Sequence, residues 1–125
     1  MHEGDAAAGT SQLVPILLNL LAAFFGAGGQ YLYKLGAARM DSVPLLRNWA
    51  LFAGVVLFCV VMGCFVWAFK LGGRLSVVYP VYATTFFWGM LLAVLVDGEP
   101  YSGLQIAGVA VIVLGVAMLA VGYPR

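Results

Sequence analysis

Apolar and polar positions segregate along this chain into four long blocks and short connections. Residues 13–34, 49–70, 75–96 and 102–122 are almost uninterrupted apolar runs, and the charged residues fall at their ends or between them. A helix that crosses a bilayer needs about 20 predominantly apolar residues. Each block meets that length, so the pattern predicts four transmembrane helices within a single unit, 13–123. Residues 1–12, MHEGDAAAGTSQ, read as a disordered polar tail. Acidic Glu3 and Asp5 argue against a signal peptide, whose first region is basic. The connection 35–48 is the longest. Gly72–Gly73 and the run DGEP at 97–100 are turns by composition. Short connections make neighbouring spans antiparallel. The expected architecture is therefore an all-α, up-down four-helix membrane bundle. Pro80 is expected in about the first turn of the third span, where its missing N–H costs little, or as a kink if the helix starts earlier.

Composition sharpens this reading. Of 125 residues, 64% are hydrophobic and 9% charged, and mean hydropathy is +1.04. A soluble domain is about half apolar and a quarter charged, so that class is excluded. Disorder of the whole chain needs low hydrophobicity. Nucleic-acid binding needs a clustered basic surface, which a net charge of +1 does not supply. Cys59 and Cys64 share one apolar run and match neither a disulfide framework nor a zinc pattern. The only histidine, His2, lies in the tail, and all five carboxylates lie outside the spans. With no nucleophile–base pair, metal cluster or phosphate loop, neither an enzyme nor a cofactor is expected. Lys34, Arg39 and Arg47 flank one side of the bundle, and Lys70, Arg74 and Arg125 the other. The lysine/arginine bias that normally orients membrane proteins is thus null. Chains of that kind can insert both ways round and pair antiparallel.

Candidate chemistry lies on three spans. On the first, Asn19, Ala23, Gly26, Gln30 and Tyr33 recur at steps of three or four and form one stripe of small and polar groups. An unpaired amide is costly against lipid. The stripe therefore faces either a cavity or partner helices that its amides bond. Lys34 ends the stripe and reads as an interfacial anchor or as the cation for an anionic headgroup. On the third span, Tyr79, Tyr82 and Phe86 share a face, and Thr84, Thr85 and Trp88 the adjoining one. Trp88 is too deep for the interfacial belt, whereas Trp49 and Trp67 suit it. On the fourth span, Gly108 and Gly115 lie two turns apart on one face. Small residues let membrane helices approach closely, so these two are the expected dimer contact.

These residues carry a resemblance. GQYLYK at 29–34, RLSVVYPVYATTFFW at 74–88, GEP at 98–100 and GVAVIVLGV at 108–116 together resemble the four-span (EamA-like) members of the drug/metabolite transporter superfamily. Within it, Gly29, Gln30, Lys34, Tyr79, Pro80, Phe87 and Trp88 look like the pattern of the paired subunits of the aminoarabinose–phosphoundecaprenol flippase. The chain is more distantly similar to small multidrug resistance proteins. Those carry a glutamate eight residues before the first-span lysine, where this chain has Gly26. The resemblance implies a bacterial inner-membrane carrier of a polyprenyl-phosphate-linked sugar, as a homodimer or paired with a similar small subunit. Lys34 would meet the phosphate, and Asn19 and Gln30 the sugar. Tyr79, Tyr82 and Phe86 would guide the lipid. The alternatives are an exporter of hydrophobic cations and a non-transporting accessory subunit.

Overall fold

The computed structural model describes residues 11–124 and, among them, is entirely helical. Four helices are long and apolar enough to cross a membrane, which makes the chain a multi-pass membrane protein by length and composition. They are α1 (Leu13–Ala38), α2 (Trp49–Lys70), a third span made of α3 (Leu75–Val81) and α4 (Thr85–Leu95), and α5 (Gly103–Val121). Successive spans run antiparallel. Gln12, at the start of α1, meets Gly72 and Arg74 beyond the end of α2. Lys34, near the end of α1, meets Asp97 beyond the end of α4.

Three expectations need correction. The first span continues a turn past Lys34 to Ala38. At 1.5 Å per residue its 26 residues reach about 39 Å, more than the roughly 30 Å hydrocarbon thickness. A helix of that length crosses the layer tilted or extends beyond it. The connection is correspondingly shorter and holds a single 3₁₀ turn, Leu45–Arg47. Pro80 sits six residues into α3, not in the first turn. It cannot donate a helical bond, and its ring crowds the preceding turn. The span tightens to 3₁₀ geometry at Tyr82–Thr84 and resumes at Thr85. Finally, Gln12 is not part of a loose tail. It is 1% exposed, its Nε2 donates to Gly72 O (3.1 Å) and its Oε1 accepts from Arg74 N (2.9 Å). The rest of the expected tail, 1–10, lies outside the described residues.

α1 is the central helix, and both α2 and the third span pack along it. Lipid tails are as apolar as leucine, so membrane helices are held by close packing and hydrogen bonds. Glycines provide the closeness here. A Cβ at Gly29 would lie 2.7 Å from the Phe58 ring, and one at Gly54 would lie 2.6 Å from the Tyr33 ring. Tyr33 stacks on Phe58 with centroids 5.2 Å apart. Asn48, 1% exposed, ties the start of α2 to α1 by donating from Nδ2 to Gly36 O (2.8 Å). Trp49 lies beside Arg39, and Trp67 beside Lys70, as interfacial aromatics paired with cations.

The two ends of the bundle differ. At the Gly72 end, Gly72 takes φ +91°, which lets the α2–α3 turn reverse tightly. Val116 of α5 packs on Val77 and Val81, with Ile16, Ala120 and Tyr123 around them. Arg74 stacks over Tyr123 (5.3 Å) and donates to Pro124 O. Val116 is the only buried residue of α5. The helix starts with a capping box in which Ser102 Oγ accepts from Gln105 N (3.2 Å) and Gln105 Oε1 accepts from Ser102 N (2.9 Å). From Gly103 to Leu114 it is otherwise almost bare of packing.

Gly73 gives the sharpest test of this packing. A Cβ there would meet the Ala68 carbonyl oxygen at 2.7 Å, Val78 Cγ2 at 2.7 Å and Pro15 Cβ at 3.0 Å. Gly73→Ala should lower stability by about 1–3 kcal/mol through overpacking. Gly63→Ala, with nothing within 4 Å, should be neutral or slightly stabilising. Thermal unfolding in mild detergent reads both, and equal midpoints for the two variants would contradict this packing.

Candidate functional site

Two features stand out: an apolar groove between the third span and α5, and a polar cluster at the Lys34 end. The groove encloses about 810 Å³. Trp88, Leu91 and Val94 line it from the third span, Ile106, Val109 and Val113 from α5, and Leu20 from α1. It exists because Val116 holds α5 close at one end while nothing of comparable bulk holds it at the other. From Ile106 to Ala117 it follows α5 for about 16 Å, roughly one leaflet. Trp88 is fixed edge-on against Phe24 (5.2 Å, 87°) and against Phe87 (5.1 Å).

The polar cluster joins α1 to the α4–α5 connection. Lys34 Nζ pairs with Asp97 Oδ2 (2.6 Å) and with Glu99 Oε2, and Tyr31 Oη donates to Asp97 Oδ1 (2.9 Å). Gln30 lines the same small pocket, with Gly89 and Leu92 as its floor. One cation against two carboxylates leaves the cluster one negative charge in excess (+1 − 2 = −1). Hydrogen bonds from Lys34, then from Tyr31, hold the Asp97 carboxyl below the ordinary aspartate value. The cation expected to stand ready for a phosphate is therefore already occupied by two carboxylates of its own chain.

The other sequence-predicted residues do not gather into one site. The stripe on α1 turns its members to different neighbours. Asn19 is 0% exposed and lines neither the groove nor the polar pocket: its Nδ2 donates to Pro15 O (3.2 Å), and its Oδ1 has no hydrogen-bond partner among the described residues. Its polar group serves its own helix. Gly26 is buried where the Tyr82 hydroxyl closes on α1, so it makes room for a helix contact and not for a ligand. Tyr33 faces α2 and stacks on Phe58, away from the cluster. Only Gln30 and Lys34 of the stripe reach the polar pocket. On the third span Tyr82 lies 5.1 Å from Phe65, centroid to centroid, between α1 and α2. Tyr79 (65% exposed) and Phe86 (57%) point outward and line neither feature. Trp88 borders the groove and also packs on Phe24 and Phe87. Gly108 and Gly115 lie on α5 with nothing within 4 Å of a Cβ at either, an open face.

Sequence reasoning missed Tyr31 and the groove. Tyr31 lies one residue from Gln30 and off the stripe's spacing. Apart from Thr84, Phe87, Trp88 and Tyr101, the groove walls are ordinary apolar residues whose only distinction is where α5 leaves the bundle.

The hydrogen bonds to Asp97 have a consequence for pH. A carboxyl whose folded pKa is depressed contributes stability that is complete above its unfolded value, about 3.9, and is lost as pH falls through the folded value. A carboxylate-resolved NMR titration should place Asp97 below an ordinary aspartate. Lys34→Gln should move it back up. A wild-type midpoint at or above the ordinary value would contradict the pairing.

Comparison with family models, with curated proteins and with solved structures returns no match for this chain.

Proposed function

We propose that this protein is a membrane carrier subunit that moves an amphiphilic lipid, of the polyprenyl-phosphate-linked sugar class, across a bacterial inner membrane. The observation that carries the reading is an apolar groove one leaflet deep that lies between two spans and ends near a cluster of charged and hydrogen-bonding groups. An amphiphile has that same division. Its chain would lie along Trp88, Val109 and Val113, and its headgroup would meet Gln30, Tyr31, Lys34, Asp97 and Glu99. Because Lys34 is already paired, a phosphate would enter by exchanging for Asp97 and Glu99. The two released carboxylates would then be open to hydroxyls or to a cationic group. No charged side chain lines the groove itself, so in this reading the protein offers a path for the chain and a site for the headgroup.

The working unit is a dimer, of this chain or with a similar small subunit. The bare face of α5 bearing Gly108 and Gly115 supports this, since 19 residues of helix with one buried side chain are poorly packed for a lone bundle. A second reading, export of hydrophobic cations, draws on the negative excess of the cluster. The lack of any carboxylate within the four spans weighs against it.

Native mass spectrometry from nanodiscs, with bound lipid retained, tests the proposal. The expected species is a dimer carrying a polyprenyl-phosphate mass. Val113→Trp, which fills the groove, should remove most of that lipid without dissociating the dimer. Gly115→Leu should dissociate the dimer by steric bulk. A dimer that takes up quaternary ammonium compounds instead would favour the exporter. A monomer with no ligand would contradict both readings.

A further inference from the structure

The anchoring of α5 is lopsided, and the polar cluster sits where the imbalance is greatest. At the Gly72 end, Val116 packs on Val77 and Val81, and Arg74 holds Tyr123 and Pro124. Toward the Lys34 end the helix carries bare apolar side chains: Leu104 is 84% exposed and Val111 66%. From Gly103 to Val116 is an arm of about 20 Å, and little along it resists rotation about its packed end.

What places the outer end of that arm is the connection that precedes it. Asp97 and Glu99 are bound to Lys34, and Asp97 also to Tyr31. Their backbone is tied to α4, since Asp97 N donates to Leu92 O (3.2 Å) and Glu99 N to Ala93 O (2.9 Å). Gly98 between them takes φ +66°, a left-handed turn that aims both carboxylates at one lysine. Only Pro100, Tyr101 and Ser102 separate Glu99 from the first residue of α5. The proline stiffens that short lead, and Tyr101 is itself part of the groove wall. The position of the two carboxylates on α1 therefore sets how far α5 stands from the third span.

We infer that Lys34, Asp97, Glu99 and Tyr31 form a latch that sets the width of the groove mouth. Engaged, it holds the start of α5 where the structure shows it. Released, it lets α5 swing outward about its packed end at Val116 and Arg74. The latch is half exposed, with the Lys34 and Glu99 side chains 54% and 45% accessible. Its ion pairs are therefore open to screening by salt and to competition from a charged headgroup. The device stands whatever enters the groove, because it rests on the anchoring of α5 and on these ion pairs, not on an occupant.

The experiment is an electron–electron distance measurement in nanodiscs without added ligand. Spin labels at Ala37→Cys and Leu104→Cys report the mouth, and labels at Leu71→Cys and Val121→Cys report the pinned end. Cys59 and Cys64 are replaced by alanine, and labelled chain is diluted into excess unlabelled chain. Both labelled pairs should give narrow distributions with Lys34 intact. Lys34→Gln, or molar salt, should broaden and lengthen the mouth distribution only. The charge swap Lys34→Asp with Asp97→Lys should narrow it again. An unchanged mouth in Lys34→Gln would overturn the latch. Broadening at both ends, or a swap that fails to restore the mouth, would also overturn it, because either assigns the effect to general loss of packing.

Discussion

In a bilayer, burying an apolar side chain against another helix gains little over leaving it against lipid, so helices stay together only where their surfaces come very close. In this protein that closeness belongs to α1. Gly29 admits the ring of Phe58, Gly26 admits the end of Tyr82, and Gly54 across the interface admits Tyr33. α2 and the third span are thereby seated on two faces of the same helix. The turn between those two spans is then fixed from below, with Gly73 wedged against Pro15 and Gln12 bonded to both sides of the reversal. Two spans are settled by contacts with α1, and the fourth is not.

The unsettled fourth span is what opens the groove. Had α5 packed along its whole length, the space beside Trp88 would be filled and the molecule would be a plain bundle. Instead one cluster of valines and one arginine hold it at a single end. The groove that results is bounded by apolar walls and reaches the level of the charged cluster on the side where α5 stands clear. The Pro80 break contributes as well. It redirects the third span at Tyr82–Thr84, so that α3 meets α5 while α4 diverges from it.

Much of the architecture was legible in the sequence, because span length and hydropathy are local properties. Four uninterrupted apolar runs dictate four helices whatever their packing. The boundary at Ala38 was not legible, since Lys34 looks like a terminus while the helix runs on through Leu35, Gly36, Ala37 and Ala38. The site was legible only in part. A stripe at helical spacing shows which residues share a face, but α1 is gripped from two sides. Gln30 therefore reaches the polar pocket while Asn19 and Tyr33 are taken up by packing. Lys34 was visible as an anchor or a headgroup cation, yet its partners lie 63 and 65 residues away. Only tertiary structure brings Asp97 and Glu99 onto it and reverses the sign of the local charge.

The central claim is that lipid, and not protein, fills the space between the third span and α5. Fluorescence of a variant that keeps Trp88 alone, with Trp49 and Trp67 replaced by phenylalanine, measures this directly in bilayers of chain-brominated lipid. Bromine quenches indole only on contact, and Trp88 lies in the groove wall. The account predicts strong quenching by bromine placed within the chain, in the dimer as in the isolated subunit. Trp88 emission that is indifferent to brominated lipid would mean that the groove is closed by protein, and would contradict the account.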